Sequence, residues 1–250
     1  MSELHEAIRR ARRVVVLTGA GISKESGIPT FREAQTGIWA RFRPEELASP
    51  EAFARDPERV WSWYRARRDQ ALATEPNAGH RALVELAGMV PELHVITQNV
   101  DGLHARAGSE DVTELHGNLH RVRCITCNTR QPWPTDEASR RCACGGALRP
   151  DIVWFGEMLD EAVLARAFEL SQGADVFFSI GTSALVQPAA GLPLFAKRAV
   201  LVEVNPDATP LRSCDSHDTS SRRSLSDFAR YSFRESASTA LPKLLDALRS

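Results

Sequence analysis

The sequence predicts an α/β protein built on a doubly wound parallel sheet and interrupted by a small metal-stapled module. Three observations carry this. Apolar runs at 14–18, 93–97, 175–181 and 199–204 read as strands, and those at 175–181 and 199–204 are hydrophobic enough to be buried on both faces, as parallel strands covered by helices are. Helix-permissive segments alternate with them, the rhythm of strand–helix–strand units. Four of the five cysteines cluster between 124 and 144, where that rhythm stops.

The elements follow in order. Residues 3–12 read as an amphipathic helix leading into strand 14–18. Asp56-Pro57 opens a helix that runs to about Ala73, with Asp as N-cap and Pro in the first turn. The stretch 75–79 breaks the chain; 80–88 is helical, and Pro91 separates it from strand 93–97. A helix at 161–172 lies between strands, and one at 239–249 closes the sequence. Residues 119–150 hold the cysteines and Trp133 between two prolines, and 213–227, with Cys214, reads as a polar surface loop.

At 250 residues, 43% hydrophobic and 25% charged, the composition is that of an ordinary globular protein. A net charge of −1 gives no general attraction to nucleic acid or to an anionic membrane. No apolar run approaches the roughly 20 residues that span a bilayer. The N-terminus has no basic-then-apolar leader, and Ser2 removes the myristoylation pattern. The expectation is a cytoplasmic protein with reduced thiols.

Several clusters carry chemistry. Strand 14–18 runs into Gly19-Ala20-Gly21, a turn where Gly19 and Gly21 N–H groups would face a pyrophosphate; a tight turn without ligand is the alternative. The third glycine of the dinucleotide fingerprint would fall at Lys24, and Pro29 blocks a long helix, so a short helical turn and a loop are expected. Thr97-Gln98-Asn99-Val100-Asp101-Gly102-Leu103-His104 crowds amide, carboxylate and imidazole groups at a strand end, suiting ribose hydroxyls and a carboxamide or, alternatively, a capped turn. Gly181-Thr182-Ser183 and Asn205 end two further strands, where phosphate and ribose bind in open sheets. His116 is a candidate general base, with Gly117 leaving room for a substrate. Cys124-x-x-Cys127 and Cys142-x-Cys144 have the spacing of a four-thiolate zinc site, which has no open position and is structural. Arg121, Arg123, Arg130, Arg140, Arg141 and Arg149 leave a nucleic-acid-binding ribbon as the alternative.

Taken together and in this order, Gly-Ala-Gly-Ile-Ser-x-Glu-Ser-Gly-Ile-Pro-Thr-Phe-Arg, Thr-Gln-Asn-Val-Asp-Gly-Leu-His, Leu-His-Gly, the cysteine quartet, Val-Trp-Phe-Gly-Glu, Gly-Thr-Ser and Val-Asn resemble the sirtuins, NAD-dependent protein lysine deacylases. The resemblance covers nearly the whole chain. It implies a discontinuous Rossmann-type NAD-binding domain (1–32, 78–118 and 151–250), a cofactor-binding loop with helical insert (33–77) and a small zinc-binding domain (119–150). NAD, consumed as co-substrate, would meet Gly19, Ala20, Gly21, Ser23, Thr30, Phe31, Arg32, Trp39, Gln98, Asn99, Asp101, Gly181, Thr182, Ser183, Asn205 and Ala237. His116 would be the base, with Asn99 in the catalytic set. Val153, Phe155, Gly156 and Glu157 would pair with the backbone of an acyl-lysine peptide as an added strand. The implied reaction joins the acyl oxygen to C1′ of the ribose as nicotinamide leaves, and ends in free lysine and O-acyl-ADP-ribose. One structural Zn2+ on Cys124, Cys127, Cys142 and Cys144, a monomer, and no membrane or nucleic-acid partner complete the expectation.

The segment 53–68 further resembles the class III branch, which carries a Tyr-x-x-Arg pair in its acyl pocket, here Tyr64 and Arg67. Residues i and i+3 share a helix face. Arg binds a carboxylate through two parallel hydrogen bonds and a phenol adds a third donor, which suits succinyl, malonyl or glutaryl tails over acetyl. Gln187 departs from the family, where an apolar residue is expected. The rival readings are an NAD hydrolase or ADP-ribosyltransferase on the same fold, and a zinc-stapled binding module without activity.

Overall fold

The computed structural model describes residues 2–29, 46–136, 139–184, 186–207 and 225–250. Its elements are α1 (Ser2–Arg10), β1 (Arg13–Thr18), α2 (Gly21–Lys24), α3 (Pro50–Arg55), α4 (Pro57–Leu72), α5 (Ala78–Ala87), β2 (Glu92–Thr97), α6 (Leu103–Ala107), β3 (Val112–Glu114), β4 (Gly117–Cys124), β5 (Arg130–Pro132), β6 (Leu148–Ile152), α7 (Glu161–Gln172), β7 (Val176–Ile180), α8 (Leu192–Phe195), β8 (Val200–Val204), β9 (Tyr231–Phe233) and α9 (Ala237–Arg249).

Six strands form one sheet in the order β3-β2-β1-β7-β8-β9, every neighbouring pair parallel. The chain leaves β1 toward β2 and β3 on one side, then crosses to β7, β8 and β9 on the other. The strand order therefore reverses between β1 and β7, and the crevice beyond their carboxyl ends is where open α/β sheets bind ligands. Alternation along β1 serves both faces: Val14 and Val16 join a core with α1, α5 and α9, and Val15 and Leu17 a core with α7 and α8. All four are fully buried, each stabilising the fold by roughly 1.5–3 kcal/mol.

Two inserts make a third core. The Trp61, Trp63 and Tyr64 side chains of α4 pack with Leu119 and Val122 of β4, Leu148 and Ile152 of β6, Trp133 and Trp154. Trp61 meets Trp133 edge-on at 4.9 Å. The cysteine region thus carries an antiparallel sheet, β5-β4-β6, which the sequence reading did not foresee.

The glycine-rich run folds as a single helical turn, but Pro29 is not what stops it. Gly27, at φ +91°, closes α2: its N–H donates to Lys24 O at 2.9 Å and Ile28 N–H to Ser23 O at 3.3 Å. This is the paired C-terminal closure that glycine favours.

His80 and His104 are buried beneath the site with rings 4.9 Å apart, and His104 Nε2 meets Thr18 Oγ1 at 2.9 Å. Burial pulls their pKa values from 6.5 down to about 4 and about 3. Both stay neutral in the fold while the unfolded chain takes up protons below pH 6.5, so folding stability is expected to fall from there toward pH 4. Urea midpoints across this range check it: His80→Gln flattens the slope, and an unchanged slope contradicts the assignment.

Candidate active site

The site gathers at the ends of β1, β2, β7 and β8. Gly19 N–H donates to Ile180 O at 3.0 Å and Gly21 N–H to Gly181 O at 2.8 Å. A Cβ on Gly21 would stand 2.6 Å from Gly181 Cα. Here the glycines let two strand-end turns pack backbone to backbone. This corrects the expectation that both N–H groups face a pyrophosphate, because Ile180 O and Gly181 O already accept them.

From β2, Gln98 Nε2 donates to Thr182 Oγ1 at 3.1 Å, joining the two sides of the crevice. Asn99 Nδ2 donates to Gly19 O and to Ser23 Oγ, both at 3.1 Å. Ser23 Oγ donates to Asp101 Oδ2 at 2.8 Å, and Leu103 N–H to Asp101 Oδ1 at 2.9 Å. Ser23, Asn99, Asp101 and Thr182 are all buried. Burial raises the Asp101 pKa, opposed by those two hydrogen bonds and by the charges of His120 and Arg67. Across the switch point, Asn205 Nδ2 holds Thr182 O at 3.0 Å, while Ser183 is exposed. Gly181 takes φ +59°, a turn suited to glycine.

His116 lies between β3 and β4, its Nδ1 3.0 Å from Gln98 O. A carbonyl only accepts, so Nδ1 carries the proton and Nε2 of the neutral ring is the free basic atom. Burial lowers the His116 pKa, and the Gln98 hydrogen bond partly restores it. Gly117 does not leave room for substrate: at φ +85°, a Cβ there would lie 1.9 Å from Asp151 O, so β6 fills that space.

The segment after β6 is tied into the fold by its own backbone hydrogen bonds. Val153 N–H donates to His116 O, Trp154 N–H to Glu157 Oε2 and Phe155 N–H to Ala48 O, each at 2.9 Å; Glu157 N–H donates to Trp154 O. The Glu157 carboxylate is held by Arg149 at 2.8 Å and Arg123 at 3.0 Å, so it organises the segment rather than facing a ligand. Ala237 is buried at the first turn of α9, against Gly79 of α5. Thr30, Phe31, Arg32, Trp39 and Cys214 lie outside the described residues.

Tyr64 and Arg67 share the buried face of α4. Tyr64 is 2% exposed, and its ring packs on Trp63 at 4.6 Å. The Arg67 guanidinium lies 4.9 Å over the Trp63 ring. Burial lowers the Arg67 pKa, while Tyr64 and Asp101 raise it, so α4 and the Asp101 side of the crevice share one electrostatic environment.

Sequence reasoning missed His80 as part of this region and gave Trp154, within the 153–157 motif, no role of its own. Asn77-x-x-His80 was the available signal: Asn77 Oδ1 accepts from the His80 N–H at 3.4 Å, and His80 Nδ1 accepts from the Asn77 N–H at 3.4 Å, a capping box.

The four cysteine sulfurs lie within 4.8 Å of one another. Tetrahedral zinc with Zn–S of about 2.3 Å would set them about 3.8 Å apart; the Cys127–Cys142 pair is at 3.7 Å and Cys124–Cys144 at 3.5 Å. The quartet fits a closed structural Zn2+ site. The tight Cys-x-Cys loop closes through Gly145 at φ +86° and Gly146, where a Cβ would come 2.6 Å from Cys124 Sγ. Cys124 and Cys142 belong to the core that holds Trp61 and Trp133. Chelation or Cys127→Ser is therefore expected to red-shift tryptophan emission. Each 1 kcal/mol lost lowers the melting midpoint by roughly 2–4 °C, so a drop of at least about 5 °C is expected. A metal-free protein with unchanged emission and midpoint contradicts a structural role.

The Sir2 family model matches residues 19–188. An NAD-dependent protein deacylase of Aquifex aeolicus is 49% identical over 243 residues, covering 94% of this chain and 95% of that protein. A solved Sir2 homologue–NAD complex superposes with a TM-score of 0.86 at 44% identity, covering 100% of this chain and 94% of the other. A Sir2–p53 peptide–NAD+ structure gives 0.79 at 31% identity, covering 99% and 98%. With the sheet order, the site at its switch point and the cysteine quartet already in place, the match over most of the sequence settles the family: this chain belongs to the Sir2 family.

Proposed function

We propose that this chain removes acidic acyl groups, succinyl or malonyl, from lysine side chains. The coarser activity stands on the family: the chain is an NAD-dependent protein deacylase. The acyl preference rests on one observation, the Tyr64–Arg67 pair on the buried face of α4. A guanidinium that burial disfavours gains most from a carboxylate partner. Burial raises the Tyr64 pKa, so the phenol stays a donor.

The other roles follow from the geometry. The hydrogen bond from Nδ1 to Gln98 O leaves His116 Nε2 to take a proton from a ribose hydroxyl of bound NAD. Ser23, Asn99 and Asp101 hold the glycine turn in register with the end of β2, and Gln98 and Asn205 fix Thr182 across the crevice. NAD lies over Gly19–Ser23 at one end and Gly181–Ser183 with Asn205 at the other, Ala237 closing the adenosine side. The peptide runs past Val153–Gly156. The division into a discontinuous Rossmann-type domain, a helical insert and a zinc module, and a cytoplasmic monomer, complete this reading. No helix among the described residues is long and apolar enough to cross a membrane.

The test is nicotinamide release with and without acyl-lysine peptide, with product masses. Release that requires the peptide, with O-succinyl-ADP-ribose formed, is expected. Equal release without peptide establishes the hydrolase reading instead.

A further inference from the structure

We propose that the buried indole N–H of Trp154 is a third donor to the terminal carboxylate of the acyl group, beside Tyr64 and Arg67. This rests on the acidic-acyl reading above and adds a specificity-determining residue to it.

Trp154 is 3% exposed, and its Nε1 meets no acceptor among the described residues. A buried donor without a partner costs free energy that folded proteins rarely tolerate. The ring is not free to turn toward an acceptor elsewhere. The Arg149 guanidinium covers one face 3.5 Å from the ring centroid, and Phe53 packs at 5.3 Å. Arg149 is itself fixed by Ile152 O at 2.6 Å and Glu157 Oε2 at 2.8 Å. Glu157 also accepts the Trp154 backbone N–H at 2.9 Å, so the residue is clamped at backbone and ring.

The clamp holds the indole beside Tyr64, with ring centroids 6.4 Å apart and planes inclined by 30°. The Trp154 N–H eases ionisation of the Tyr64 phenol, which places it near that oxygen, yet the two lack the geometry of a hydrogen bond. Tyr64 from α4 and Trp154 from the segment after β6 thus lie side by side. Arg67, one helical turn on from Tyr64, adds the charge. All three groups donate. An acetyl group ends in a methyl and leaves the indole N–H unsatisfied. A succinyl or malonyl group ends in two acceptor oxygens with lone pairs enough for all three.

Trp154→Phe keeps an aromatic ring under Arg149 and removes the N–H. The expected result is a fall of roughly 10–100-fold in the ratio of succinyl-lysine to acetyl-lysine kcat/KM. Equal losses on both peptides make Trp154 merely structural and overturn the proposal. An independent readout needs no variant. In 15N-labelled wild-type protein without NAD, the Trp154 indole signal, assigned by its contacts to the Tyr64 ring, is expected to move downfield with succinyl-lysine peptide and to stay in place with acetyl-lysine peptide. A signal that ignores the succinyl peptide overturns the proposal even if the variant does not fold. Turnover of succinyl peptide with no indole response refutes only the Trp154 role; no turnover of any acidic acyl peptide refutes the acyl reading with it.

Discussion

Arg67→Met is expected to cut kcat/KM on succinyl-lysine peptide by roughly 30- to 5,000-fold, the cost of losing one partner of a buried charge pair. The acetyl-lysine value should hold or rise. Methionine is close in length and keeps an apolar contact with Trp63, over which the guanidinium lies at 4.9 Å, so α4 should stay packed. The lost donors are ones that acetyl never uses. The effect should appear in KM and kcat together, because a carboxylate anchored at the far end of the acyl chain also sets where its carbonyl sits. Steady-state kinetics on matched peptides decide it. An equal loss on both acyl groups would make Arg67 a structural residue of α4.

His116→Ala is expected to lower turnover by roughly 10²–10⁴-fold on every acyl peptide, the range for a lost general base. The far-ultraviolet spectrum and melting midpoint should change little, since the imidazole's one hydrogen bond among the described residues is to the backbone, at Gln98 O. The pH profile adds a sign. The base must be unprotonated, and burial lowers the His116 pKa below 6.5. Wild-type kcat/KM should therefore rise with pH to a plateau whose midpoint lies below pH 6.5, and this limb should vanish in the variant. A variant that keeps the limb would assign the titration to another group.

These predictions use residues that were legible in the sequence for different reasons. The long strands of the sheet were readable because burial on both faces leaves an unbroken apolar run; 93–97 and 199–204 each begin one residue inside or outside the observed strand. Helix 161–172 matches its observed span because Asp160 caps it and Gly173 follows it. The strands β3, β9 and β5 have three residues each, too few for any period to show. The start of α9 was placed late because its first turn, Ala237-Ser-Thr, is polar and takes its place by packing on α5.

The site shows the same division. His116, Asp101 and the cysteines were readable as chemistry because their residue types are reactive. The reasons for the glycines were not, since Gly117 and Gly21 exist to admit Asp151 O and Gly181 from distant strands. Glu157 looked like a substrate contact because it ends an exposed-looking motif; only the fold brings Arg149 and Arg123 to it. Trp154 was legible only as part of the Val-Trp-Phe-Gly-Glu motif, because an indole N–H without a partner among the described residues is a property of the finished structure.

The central claim is that this deacylase selects the acyl group by its terminal carboxylate. The direct measurement is kcat/KM for wild-type protein on one peptide carrying, in turn, succinyl-, malonyl- and acetyl-lysine, at saturating NAD and neutral pH. The account predicts that the acidic acyl groups exceed acetyl by at least about tenfold, the equivalent of about 1.4 kcal/mol in the transition state. Acetyl-lysine processed as fast as succinyl-lysine, or faster, would contradict it.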